Sequence, residues 1–136
     1  NIMIELCIMF KRTRFNGQWT ESQFLNFIRG ALRRASTRWA PIHEVMREAR
    51  VGRGAYLCAA CKAIVPLTVN KKRNVYVDHI APITNPEKGF TSWDELIEKL
   101  FCEKEGLQVL CSLCHDDKTG AEREQAKERR KKNINE

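Results

Sequence analysis

Two cysteine pairs, Cys58-x-x-Cys61 and Cys111-x-x-Cys114, lie with 49 residues between them, and they bracket an Asp78-His79 dipeptide. A second histidine, His115, directly follows the last cysteine. Four thiolates in two such pairs are what one tetrahedral zinc needs. A single C-x-x-C also suits a redox pair, but two of them in a chain with no other sign of disulfides favour zinc. An aspartate oxygen suits a hard divalent cation, and a neutral imidazole suits general-base work near pH 7. Taken alone, Asp78-His79 reads more readily as a surface aspartate beside a packed histidine at a strand end. His115 shifts that balance. It could take a place on the zinc, but four cysteines leave it unneeded there and free to join Asp78 at a second metal.

These side chains need elements that hold them. A zinc on all four cysteines would clamp two distant segments together, with Cys58 and Cys61 forming a knuckle between short strands. Val75-Tyr76-Val77 reads as a short strand that delivers Asp78-His79. Adjacent strand residues point to opposite faces, so one can bind a metal while the other meets water or substrate. Leu107 to Leu110 reads as a strand entering the second cysteine pair. A helix from about Ser112 to Lys131 follows, with His115 in its first turn and Lys118 on roughly the same face. Asn70 to Asn74 reads as a polar turn. Upstream, Thr20-Glu21-Ser22-Gln23 is a capping box. It opens a helix with Phe24, Phe27, Ile28, Ala31, Leu32 and Ala35 at helical spacing. Arg29, Arg33 and Arg34 lie off that stripe, and Arg38 follows it. Pro41 suits the first turn of a second helix, which carries His43, Arg47 and Arg50 and ends at Gly52 and Gly54. Ser92-Trp93-Asp94-Glu95 is a second capping box, opening a helix to about Phe101.

The 136 residues fit one domain. The formal net charge is +7, and residues 1–55 hold ten basic against four acidic residues. A basic segment on a near-neutral body points to a polyanion, most simply nucleic acid, with solubility as the plainer alternative. The apolar run from Ile2 to Phe10, broken by Glu5, is too short to cross a bilayer and reads as an edge strand or a disordered start. No secretory signal is recognisable, which favours a reducing compartment with metal-bound cysteines. Cys7 and Cys102 read as ordinary, partly buried thiols, and Trp39 as core. From Glu122 to Lys132 the alternating charges read as a solvated helix end.

The segments Tyr56-Leu57-Cys58-Ala59-Ala60-Cys61, Val77-Asp78-His79-Ile80-Ala81-Pro82 and Leu107-Gln108-Val109-Leu110-Cys111-Ser112-Leu113-Cys114-His115-Asp116-Asp117-Lys118-Thr119 together resemble the HNH endonucleases of the His-metal-finger (ββα-metal) superfamily. The resemblance covers residues 56 to about 120. The arginine-rich leader resembles, more weakly, those of small phage-encoded members. The resemblance implies an α+β fold. Its ββα-metal core is stapled by a four-cysteine zinc and preceded by a basic helical segment. The expected organisation is an N-terminal extension (1–19), the basic DNA-binding segment (20–55), the nuclease core (56–120) and a charged helix end (121–136).

By position, the resemblance makes His79 the general base, and Asp78 and His115 the ligands of a catalytic divalent metal. Cys58, Cys61, Cys111 and Cys114 become the ligands of a structural zinc. Magnesium or manganese is expected at the catalytic site, with nickel or zinc admitted by the histidine ligand. One departure stands out: Gly106 falls where the family carries an asparagine that ties the ββ loop together. The implied reaction is DNA phosphodiester hydrolysis leaving 5′-phosphate and 3′-OH ends. Lys118, Arg29, Arg33, Arg34, Arg38, Arg47 and Arg50 would anchor DNA phosphates, which positions DNA without reading its sequence. Other phage DNA-processing proteins are the expected protein partners, no membrane is involved, and the expected location is the cytoplasm of a bacterial host. The competing expectation is a zinc-stabilised DNA-binding module without catalysis. An RNA-binding zinc knuckle is a third.

Overall fold

A computed structural model describes residues 2–3 and 11–135. Cys7 and most of the apolar run from Ile2 to Phe10 lie outside the described residues. The chain is a mixed α+β protein. A short hairpin, β1 (Arg12–Arg14) with β2 (Trp19–Thr20), leads into helix α1 (Glu21–Ser36). Both arms of the capping box form: Thr20 Oγ1 accepts from Gln23 N at 3.2 Å, and Gln23 Oε1 accepts from Thr20 N at 2.8 Å. Such a cap satisfies two otherwise unpaired backbone donors. Helix α2 (Ala40–Ala49) begins with Pro41 buried in its first turn, where proline's missing N–H costs nothing.

Short strands follow. β3 (Arg50–Gly52), β4 (Ala55–Leu57) and β5 (Ile64–Pro66) form an antiparallel sheet, and β6 (Thr68–Val69) pairs with β7 (Lys72–Arg73). Helix α2 therefore stops three residues before Gly52, because Arg50–Gly52 turns back to pair with β4. In the β6–β7 turn Asn70 and Lys71 take positive φ, which asparagine tolerates well.

β8 (Val75–His79) pairs antiparallel with β9 (Leu107–Cys111), Val75 opposite Cys111 and His79 opposite Leu107. Between them lie a loop, helix α3 (Trp93–Leu100) and a single 3-10 turn (Lys104–Gly106). Ser92 caps α3 by accepting from Glu95 N, but the reciprocal arm is missing, since the Glu95 carboxylate bonds Thr91 and Lys99 instead. Helix α4 (Ser112–Asn135) follows β9 without a break.

The core sits on the β8–β9 pair rather than on the leader helices. Val75, Leu107, Val109 and Leu110 are buried, joined by Leu96 and Leu100 from α3. Buried residues on both faces of β9 make it the central strand in packing terms, and α2 lies against it. The stripe on α1 is covered less completely: Phe27 remains 55% exposed. Trp39 is partly buried as expected; its indole donates to Cys102 O at 2.7 Å and its ring meets Phe101 edge-on. Among the described residues no helix is long and apolar enough to cross a membrane.

Candidate metal centre and active site

Cys58 and Cys61 sit on a tight knuckle after β4. Cys58 N donates to Ala63 O, Lys62 N donates back to Cys58 O, and Lys62 turns the chain with φ +64°. Ala59 N donates to Val109 O at 2.8 Å, docking the knuckle on β9. Cys111 ends β9 and Cys114 lies in the first turn of α4. The ligand atoms of these four cysteines all lie within 4.8 Å of one another. Sulfurs about 2.3 Å from a tetrahedral zinc lie about 3.8 Å apart, and the Cys61–Cys111 sulfur separation is 3.9 Å. The donor set therefore fits one metal ion, and none of the four is in a disulfide. The surroundings already favour anionic sulfur at one corner. Burial opposes ionisation of Cys58, but the backbone donors of Cys111, Cys61 and Ala60 outweigh it and bring the thiol down to about 6. Hydrogen bonding to Cys111, then burial, push Cys114 up to about 12. A cation at the centre would remove that conflict between neighbouring sulfurs.

The second constellation lies at the far end of β8. Asp78, His79 and His115 line one open cleft of ≈ 520 Å³, with Arg33, Lys118, Thr119, Glu122 and Arg123 around them and Pro82, Ile83 and Thr84 on its wall. Asp78 is held from two sides. Gln108, directly across the strand pair, donates to Oδ2 at 2.9 Å, and Lys118 Nζ lies 3.1 Å from the same oxygen. Lys118 also donates to His79 O at 2.9 Å and to Glu122 at 2.6 Å. Burial disfavours its charge, but Glu122 and Asp78 more than compensate and hold the ammonium above its usual range. Lys118 is thus not a free phosphate anchor; it is a cation seated among three oxygen-bearing groups.

His79 is oriented by α3. Its Nε2 lies 3.0 Å from Leu100 O. A carbonyl only accepts, so Nε2 carries the proton and Nδ1 keeps the lone pair. The His115 ring stacks on Tyr76, centroids 4.6 Å apart and 20° from parallel. Among the described residues, the four cysteines alone bring three or more Cys, His, Asp or Glu ligand atoms this close together.

Gly106 has a local cause. A Cβ there would lie 3.0 Å from Cys102 Sγ. Backbone contacts hold this loop: Ile80 N donates to Gly106 O at 2.9 Å, and the Trp39 indole holds Cys102 O.

The expected DNA-binding arginines divide. Arg33 lines the cleft with Asp78. Arg47 and Arg50 line a second, larger cleft on the other side of His79. Arg29 lies over the Phe90 ring, and its Nε is buried without a hydrogen-bond partner. Burial and the nearby Arg33 and Arg129 depress its basicity. Arg34 and Arg38 are exposed and line neither cleft. Sequence reasoning missed Gln108, Glu122, Arg73 and Arg123. Strand register would have paired Gln108 with Asp78, and helical spacing places Glu122 beside Lys118.

Compared with protein-family models, with curated proteins and with solved structures, the chain matches none.

Proposed function

We propose that the chain is a metal-dependent DNA endonuclease of the ββα-metal type, with a structural zinc on Cys58, Cys61, Cys111 and Cys114. One observation carries the reading: the Asp78-His79 dipeptide and His115, distant from it in sequence, line one solvent-open cleft edged by Arg33 and Arg123. The strand pair β8–β9 followed by α4 is the order of elements that such a core requires. A divalent cation on Asp78 and His115 would supply Lewis-acid stabilisation of a phosphate oxygen and the leaving 3′ oxygen.

The chain's own groups account for the rest. His79 Nδ1 accepts the proton of the attacking water, while Leu100 O fixes the ring and its tautomer. Gln108 holds the Asp78 carboxylate in place. Arg33 and Arg123 attract the DNA backbone towards the cleft. The test is supercoiled plasmid incubated with Mg²⁺, Mn²⁺ or Ni²⁺. The expected result is metal-dependent nicking that His79→Ala abolishes; nicking that survives this substitution would refute the assignment.

A zinc-stabilised DNA-binding module without catalysis is the second reading. Lys118 favours it, because its ammonium already neutralises Asp78. Plasmid that binds and stays intact with every metal would select this alternative.

A further inference from the structure

His79 lines two clefts. The first carries both signs of charge, Asp78 and Glu122 with Arg33, Lys118 and Arg123, and is the side of the proposed catalytic metal. The second, of ≈ 880 Å³, lies between β8, helix α2 and Tyr56 of β4, along the edge of β8 that no strand among the described residues covers. Its charged lining is basic throughout: Arg47, Arg50 and Arg73, with His43, and no carboxylate among the lining residues. Its remaining wall is largely apolar and aromatic, including Met46, Tyr56 and Tyr76, with Ser36 and Thr37 beside them.

We propose that this second cleft receives an unpaired stretch of DNA adjoining the phosphate to be cut. The inference rests on the nuclease reading for its position next to His79, but it concerns binding. Three lines of chemistry support an unpaired strand over an intact duplex. Three arginines in a lining that holds no carboxylate match the phosphates of a polyanion. Aromatic and apolar walls offer surfaces on which bases stack, whereas in a duplex the base faces are hidden inside the helix. The concave shape and volume admit a nucleotide turned out of a stack, and a base pair would have to open first. Arg73 is anchored for the purpose, with its Nε on Val75 O at 2.6 Å and its guanidinium 5.8 Å from the Tyr76 ring centroid. The substrate class is then DNA with a single-stranded element at the cut: a flap, a gap, a bulge or a displaced strand.

The test is equilibrium binding by fluorescence anisotropy, on His79→Ala protein without added divalent cation, so that no cleavage intervenes. The probe is a labelled oligothymidylate of about twelve nucleotides, with a fully paired hairpin as comparison. Single-strand affinity should exceed that for the hairpin. Its log–log salt slope should include about two units from the three arginines. Arg47→Glu, whose side chain anchors no other element, should weaken single-strand binding roughly tenfold and flatten the slope. Tyr56→Leu should weaken it without changing the slope, since stacking releases no counterions. Circular dichroism of each variant identifies any that misfold, in which case Arg50→Gln replaces it. Unchanged single-strand affinity in folded Arg47→Glu and Tyr56→Leu, or tighter binding of the hairpin, would overturn the proposal. A protein that binds single strands through these residues but cuts no DNA with any metal would keep this inference and lose the nuclease reading. One that cuts paired DNA while ignoring the substitutions would do the reverse.

Discussion

The four-cysteine cluster and the Asp78 cleft lie towards opposite ends of the β8–β9 pair, and they are built differently. In the staple, four soft donors of one kind converge within 4.8 Å, and Cys58 and Cys111 are buried. Backbone donors favour thiolate at Cys58. In the cleft, hard donors are few and partly exposed, and Lys118 occupies the space between Asp78 and Glu122. A saturated set of thiolates suits a metal that stays for the life of the fold. An incomplete oxygen–nitrogen set already neutralised by an ammonium suits a cation that arrives with substrate and leaves again. The difference teaches that donor count and the identity of the competing cation separate a structural metal from an exchangeable one.

The contrast breaks most violently at the staple. Zinc in small structural sites supplies about 10–16 kcal/mol, as much as the whole net stability of about 5–15 kcal/mol. Cys58→Ser or Cys114→Ser should therefore unfold the chain rather than slow it. Native mass spectrometry of the parent should find one zinc per chain, and circular dichroism of the variants should lose the helical signal. At the cleft the largest effect is on rate, not on fold. His79→Ala should lower plasmid nicking by about 10²–10⁴-fold while its dichroism and DNA affinity stay put.

Lys118→Met sharpens the comparison from the other side. Without its ammonium, the Asp78 carboxylate (14% exposed) lacks a counter-ion, and Mn²⁺ affinity measured by calorimetry should rise roughly tenfold, equivalent to about 1.4 kcal/mol. An unchanged affinity would mean that Lys118 does not compete for the site. The smallest effect is expected in the loop between the strands. Gly106→Asn introduces the asparagine that the HNH resemblance leads one to expect there, but forces its Cβ against Cys102 Sγ. It should lower the urea midpoint by the equivalent of about 1 kcal/mol, and adding Cys102→Ala should return most of it.

Much of this architecture was legible in the chain because it rests on local rules. The Thr20/Gln23 cap, Pro41, the β8 run and the two cysteine pairs each declare their role within a few residues. The short strands flanking the Cys58–Cys61 knuckle were expected, but β3, β6 and β7 were not, since pieces of two or three residues carry no alternation to read. Arg29 lies off the apolar stripe of α1, so its burial against Phe90, more than fifty positions away, has no local sign. Gly106 read as a loss, and only the approach of Cys102 explains it. Lys118 was placed correctly on the His115 face, but its partner Asp78 is 40 residues distant, so the lysine looked available when it was engaged. Short-range geometry could be argued from spacing; charge pairing across elements could not.

The central claim is that Asp78 and His115 hold one cation while His79 stays free to accept a proton. Anomalous diffraction from crystals soaked in Mn²⁺ tests it most directly. The account predicts a manganese peak in the cleft, ligated by an Asp78 oxygen and a His115 ring nitrogen, with Lys118 moved off Asp78 and His79 unligated. A peak that excludes His115, or one in which His79 is itself a ligand, would contradict it.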